Sequence, residues 1–105
     1  MSDLPVFMIV NLEEITDPDT YRTYEKGFFP MLQKHGGEFV TFDDKSETLE
    51  GSDDLTGRVI IFKFPSEAAA KAWYNDPDYQ ALSEHRRAGT KLKFLTLVHS
   101  LPPRG

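Results

Sequence analysis

The sequence predicts one α+β domain whose elements run β-α-β-β-α-β and close into an antiparallel sheet with its helices on one face. Three observations predict it. Short apolar runs rich in β-branched and aromatic residues recur at 6–12, 38–42, 58–64 and 92–99. Between them lie stretches with apolar residues three and four apart, the period of a helix face. Asp-Pro-Asp occurs at 17–19 and again at 76–78, each time as a helix start signal.

Val6 to Leu12 is a nearly continuous apolar run, the pattern of a strand buried on both faces. Asp17 then suits a helix N-cap, and Pro18 gives up a donor that has no partner in the first turn. Tyr21, Tyr24, Phe28, Leu32 and His35 share one face of that helix. Gly27 and Pro30 interrupt it, and Pro30 removes a ladder bond, so a kink or break is expected near Phe28–Phe29. His35-Gly36-Gly37 ends the helix, with a glycine free to turn left-handed. Glu38 to Phe42 reads as the second strand and Asp43-Asp44-Lys45-Ser46 as a polar turn, with Glu47 to Glu50 open to continue as a hairpin arm. Gly51 to Gly57 is an acidic surface loop, and Arg58 to Phe64 is the third strand, at the sheet centre. Ser66 caps a second helix in which Ala69, Ala72 and Trp73 face the sheet. The second Asp-Pro-Asp starts a short further helix carrying Tyr79, Leu82, His85 and Arg86, which Gly89 ends. Leu92 to His99 is the last strand. The core spans about 6–99, and 100–105 form a tail. This order of elements is ferredoxin-like.

A chain of 105 residues holds one domain, too small to hide a deep pocket within a single subunit. There are no cysteines, which removes disulfides, thiol nucleophiles and thiolate metal sites and fits a reducing cytoplasm. Met1 to Pro5 lacks a basic stretch and an apolar run, so no signal peptide is expected, and no segment is apolar for long enough to span a membrane. The net charge of −5 repels phosphate backbones, and the basic residues form only small spots at 85–87 and 91–93, so nucleic acid is not an expected partner. Helices on one sheet face leave the other bare, and strands this apolar do not leave it in water. Pairing two sheets face to face covers it, so a homodimer is expected.

A known family shares these residues. The chain resembles the DUF-1330 family of the dimeric α+β barrel superfamily. Tyr21 and Tyr24, His35-Gly36-Gly37, Leu49-Glu50-Gly51 and Phe64-Pro65-Ser66 carry the resemblance, with Ala72-Trp73-Tyr74, Asp76-Pro77, Tyr79-Gln80-Ala81-Leu82 and Arg86. It runs over about 6–99 and implies a ferredoxin-like protomer and a homodimer. It implies no particular reaction. Relatives in the superfamily include cofactor-independent monooxygenases, small isomerases and haem enzymes, and fold alone does not transfer their chemistry. The chain departs from the family at Asp43-Asp44-Lys45 and in its more acidic 51–57 loop.

Tyr24, His35 and Arg86 are the candidate catalytic residues, as acid, base and anion anchor. Each also has a structural reading. His35 at a helix end can cap the last carbonyls, Arg86 can pair with Glu50, Asp76 or another acid to fix its helix, and Tyr24 can be core. Asn11, Glu50, Trp73 and Tyr79 are candidate ligand contacts. Asn11 otherwise closes the first strand near the sheet edge, Glu50 is otherwise solvated, and Trp73 and Tyr79 are otherwise core aromatics. His35, His85 and His99 have no metal-ligand spacing, and no phosphate-cradling loop is present, so neither metal nor cofactor is expected. The sequence points to a cytoplasmic homodimer that binds a small, partly apolar organic molecule. Proton transfer or cofactor-free oxygenation is the chemistry expected if it is an enzyme. A non-catalytic binding or structural dimer is the alternative.

Overall fold

The computed structural model describes residues 4–51 and 55–101. The middle of the acidic loop expected at 51–57 and most of the expected tail lie outside the described residues. The elements are β1 (Val6–Ile15), α1 (Pro18–Lys34), β2 (Glu38–Asp43), β3 (Arg58–Phe64), α2 (Glu67–Asn75), α3 (Pro77–Gly89) and β4 (Thr90–His99). The sheet order is β2-β3-β1-β4, antiparallel throughout, with β3 and β1 in the middle. This is the ferredoxin-like α+β fold that the order of elements predicts.

The apolar run of β1 conceals an alternation. Val6, Met8, Val10 and Leu12 are buried against the helices with Phe62 and Phe64 of β3. Residues opposite each other in a ladder share a face. Phe7, Ile9 and their ladder neighbours Val98 and Ile61 therefore lie on the other face, as do Val59 and Phe94 beside Asn11. All six of these apolar side chains are only half-buried. At one edge of the sheet every residue of β2 is exposed, including Phe39, Val40 and Phe42.

Local chemistry sets the helix ends as expected. The Asp17 carboxylate accepts from the Thr20 backbone N–H at 3.2 Å, Ser66 Oγ from the Ala69 N–H at 3.1 Å, and Asp76 Oδ1 from the Asp78 N–H at 2.9 Å. Gly36, at φ +76°, ends α1 in the left-handed conformation.

Five expectations give way. Helix α1 does not break at Phe28–Phe29 but runs through Pro30 to Lys34. Lys26, whose carbonyl loses its donor to Pro30, is exposed, so water can serve that carbonyl. Gly27 is no interruption either, because a Cβ there would stand 2.7 Å from Leu82 Cδ1, and its absence lets α3 approach. Glu47 to Glu50 form no strand arm. Ala70, not Ala72, is buried beside Trp73, and Ala72 is exposed. Asn11 does not close β1, which continues to Ile15.

The core is aromatic at its centre. Trp73 is fully buried, with its ring centroid 4.1 Å from that of Tyr79 and 5.3 and 5.4 Å from those of Phe62 and Phe64. Among the described residues, no helix is long and apolar enough to cross a membrane.

Candidate functional site

Helix α1 does not fill its side of the sheet. Between α1 and the sheet lies a cavity of about 150 Å³, bounded by the middle of β1 and by β2 and β3. Tyr21, Tyr24 and Phe28 wall it from the helix, and Phe39, Phe42 and Ile60 from the sheet. An apolar space of roughly 150 Å³ accommodates one benzene-sized ring. The walls suit a flat apolar body.

One part of the wall is polar. Tyr24 and Tyr79 join their hydroxyls at 2.8 Å in the buried interior. The Arg86 guanidinium lies 5.8 Å from the centroid of the Tyr24 ring and lines the cavity with it. Arg86 is 3% exposed, yet its Nε and Nη1 have no hydrogen-bond partner among the described residues. The expected ion pair with Glu50 or Asp76 is absent. Glu50 is exposed in the loop after β2, and Asp76 is engaged by Lys34 and His35.

Counting donors and acceptors defines what this group lacks. A guanidinium only donates. In the phenol pair one hydroxyl donates to the other, and the second keeps a proton to give. Burial pushes the Tyr24 phenol well above its usual pKa, with the neighbouring Tyr79 adding to the effect. Burial likewise raises Tyr79, against the pull of its hydrogen bond to Tyr24 and of the Arg86 charge near it. Both phenols are therefore protonated at neutral pH. Among the described residues the cluster has surplus donors and one positive charge without a carboxylate partner, a combination that suits an anionic acceptor.

The mouth of the cavity is held by Arg58, which sequence reasoning missed. Its Nε and Nη2 donate to the two Asp44 oxygens at 2.7 and 3.1 Å, and Nη1 donates to Glu25 at 3.1 Å. The guanidinium also stands 4.8 Å from the Phe42 ring centroid. Its hydrogen bond holds the Asp44 carboxyl below its ordinary pKa. The clamp ties β3, α1 and the turn after β2 together and spends its charge on carboxylates. Asn11 supports it from the other sheet face. Its Nδ2 donates to the carbonyls of Thr56 and Arg58 at 2.9 and 3.2 Å, so this buried amide fixes the chain as it enters β3.

The remaining residues singled out in the sequence lie elsewhere. Trp73 packs in the core, and Tyr79 reaches the cavity wall only through its bond to Tyr24. His35 does not cap the carbonyls of α1 with its ring. Its Nε2 is 2.9 Å from Asp76 Oδ2, which Lys34 Nζ also meets at 2.9 Å. Asp76 is thus both the N-cap of α3 and the acid that ties α3 to the end of α1. His35 lines neither this cavity nor the groove between α2, α3 and β4. No cluster of three or more His, Asp or Glu among the described residues could hold a metal ion.

The Asp76 junction makes a prediction. Hydrogen bonds from Lys34, His35 and the Asp78 N–H hold the Asp76 carboxyl well below the usual carboxylate range. A depressed folded pKa gives stability that is present above the unfolded value of ~3.9 and lost as pH falls through the depressed one. Asp76→Asn retains a good N-cap but removes the charge. The variant should have a lower urea midpoint than the wild type at pH 7, with the gap closing below about pH 4. A gap that stays constant with pH would refute the charge-based account.

The comparisons with known proteins agree with the fold. No curated protein matches the chain. Among solved structures, a protein of unknown function from Rhodopseudomonas palustris superposes with a TM-score of 0.78 at 23% identity, covering 96% of this chain and 85% of its own. SnoaB, a cofactor-independent oxygenase from Streptomyces nogalater, superposes with a TM-score of 0.66 at 14% identity, covering 95% of this chain and 96% of its own. At these identities the likeness shows the fold alone, the ferredoxin-like α+β arrangement described above. The family model described as a domain of unknown function, DUF1330, matches residues 5–100, almost the full length, and the chain belongs to that family.

Proposed function

We propose that the protein is a cytoplasmic homodimer that binds a small, partly apolar organic acid in the α1 cavity, a single ring bearing an anionic or readily ionised group. The ring lies between the aromatic walls, and its negative oxygen meets Arg86 and the Tyr24–Tyr79 pair. One observation carries the reading: a buried guanidinium, two of whose nitrogens have no acceptor among the described residues, set in the wall of a ring-sized apolar cavity. As an enzyme, the protein would use these donors to stabilise an enolate or phenolate as charge develops, the electrostatic part of proton transfer or cofactor-free oxygenation. The fold shared with SnoaB supports that chemistry as a class. In this scheme Tyr24 is the hydrogen-bond donor to the oxyanion and Arg86 the anchor. His35, committed to Asp76, has no part in it.

A non-catalytic binding dimer is favoured by a separate observation. The carboxylate among the cavity-lining residues is Glu25, and Arg58 already holds it. A substrate would have to lose its own proton without help from a free base.

The half-buried apolar face made by Phe7, Ile9, Val59, Ile61, Phe94 and Val98 supports the dimer. Sedimentation equilibrium at micromolar concentration should give twice the mass of one chain, and a monomer would remove the dimer from the proposal.

The binding reading is tested by thermal shift with benzoate and its neutral isostere benzamide. Benzoate should raise the melting temperature in a concentration-dependent way and benzamide should not. Equal shifts from both, or none from benzoate, would defeat it.

A further inference from the structure

Arg86 faces two spaces. It lines the ring cavity under α1, and it also lines a second, larger groove where α2 and α3 leave the helix-facing side of β4 uncovered. That groove measures about 600 Å³, within the roughly 300–1,000 Å³ of typical small-molecule sites. Its chemistry differs from that of the first cavity. Met8, Ala70, Leu92, Leu95 and Leu97 make its apolar surface, and Tyr74 is the one aromatic in its described lining. Flexible aliphatic walls of this kind accept a chain rather than a plate.

The charges of the groove have a direction. Lys71 lies in its lining but is engaged by Glu67 at 2.7 Å. Arg87 donates to Ser83 Oγ at 2.6 Å and to Gln80 Oε1 at 3.2 Å, both neutral acceptors, so its charge is not cancelled there. Beside it stands Arg86, 3% exposed and with unpartnered nitrogens. The groove therefore joins an aliphatic surface to two guanidinium groups without a carboxylate partner among the described residues.

We propose that this groove is a second binding site, for the carboxylate of an aliphatic chain of fatty-acid type, with the carboxylate at Arg86 and Arg87 and the chain along Leu92, Leu95 and Leu97. Because one guanidinium serves both spaces, occupancy of the groove opposes occupancy of the ring cavity. This competition, unlike the groove site itself, rests on the proposed reading of the ring cavity.

Octanoate is the probe, titrated by calorimetry into the wild type and into two variants at exposed positions, Leu92→Glu and Arg87→Gln. Leu92→Glu places a negative charge on the path of the chain, and Arg87→Gln removes half of the charge pair. Each should weaken octanoate at least tenfold and leave benzoate affinity unchanged. Saturating benzoate should weaken octanoate in the wild type. Failure of octanoate to bind at millimolar concentration overturns the groove site and leaves the benzoate result standing. Octanoate that is insensitive to both variants sits elsewhere and overturns it too. Octanoate that binds but ignores benzoate overturns the sharing of Arg86. Loss of the dimer in Leu92→Glu would assign the groove to a second copy of the chain and overturn the proposal. If benzoate itself fails to bind the wild type, the ring-cavity reading falls, and the variants still decide the groove.

Discussion

Arg86→Met is expected to raise the melting temperature and to abolish the response to benzoate. The two effects have one cause. The guanidinium is buried, and two of its nitrogens lack partners among the described residues. Buried donors left unsatisfied cost about 1–3 kcal/mol, and more when charged. The Tyr24 ring returns part of that through its π face, at 5.8 Å. Methionine keeps an unbranched, apolar side chain in the same space and removes the desolvated charge. A gain of about 1–3 kcal/mol in the free protein is therefore expected, measured by urea denaturation. Ligand binding should move the opposite way, because the anion loses its only unneutralised cation among the described residues of the ring cavity. Arg86→Lys is the control. It keeps the charge but not the planar fork, and should retain weakened benzoate binding. A melting temperature that falls by several degrees in Arg86→Met would show that the guanidinium braces α3, and the anchor role would be lost.

Trp73→Ala should be the most damaging single change in the core. The side chain is fully buried, and its ring meets those of Phe28, Phe62, Phe64 and Tyr79 at centroid distances of 4.1–6.1 Å. Truncating a buried Trp to Ala costs about 3–5 kcal/mol, the lost transfer energy plus the cavity left behind. For a chain of this size that is a large part of a total of roughly 5–15 kcal/mol. The variant should be partly unfolded at 37 °C, and the ring cavity should lose the Tyr79 position that its wall depends on. Circular dichroism is the suitable probe, since Trp73 is the sole tryptophan and its fluorescence goes with it. Tyr74→Ala next to it removes a side chain that is 38% exposed and should cost much less. Comparable losses at the two positions would mean that the core is not centred on Trp73.

The fold was legible because its signals are local. Asp17, Ser66 and Asp76 cap the three helices within one turn of themselves, and the apolar runs need only neighbours to be seen. Pro30 misleads for a related reason. Its effect on a helix depends on whether solvent reaches the freed carbonyl, and that is set by how α1 sits on the sheet. The site was legible only in part. Tyr24 and Arg86 stood out by residue type and helix face, and both line the cavity. Arg58 did not stand out, because a lone arginine at the start of a strand is ordinarily solvated. Only the folded chain brings Asp44 and Glu25 to it. Asn11 reads in the sequence as a ligand contact or a strand end, because the partners of its amide lie 45 and 47 positions away. His35 was noticed and its partner was not, since Asp76 already had a local role as a cap. The isolation of Arg86 belongs to the tertiary structure, and no sequence pattern announces a missing acceptor.

The open edge of the sheet sets how the protein behaves when crowded. Along β2, a row of backbone groups faces outward beside Phe39, Val40 and Phe42, a surface on which a stray extended segment can lengthen the sheet. Glu38 and Asp43 stand at the two ends of that stretch as charged gatekeepers. Neutralising them would leave the fold nearly as stable as before and the solution far more prone to aggregate, so at this edge solubility and stability are separate properties.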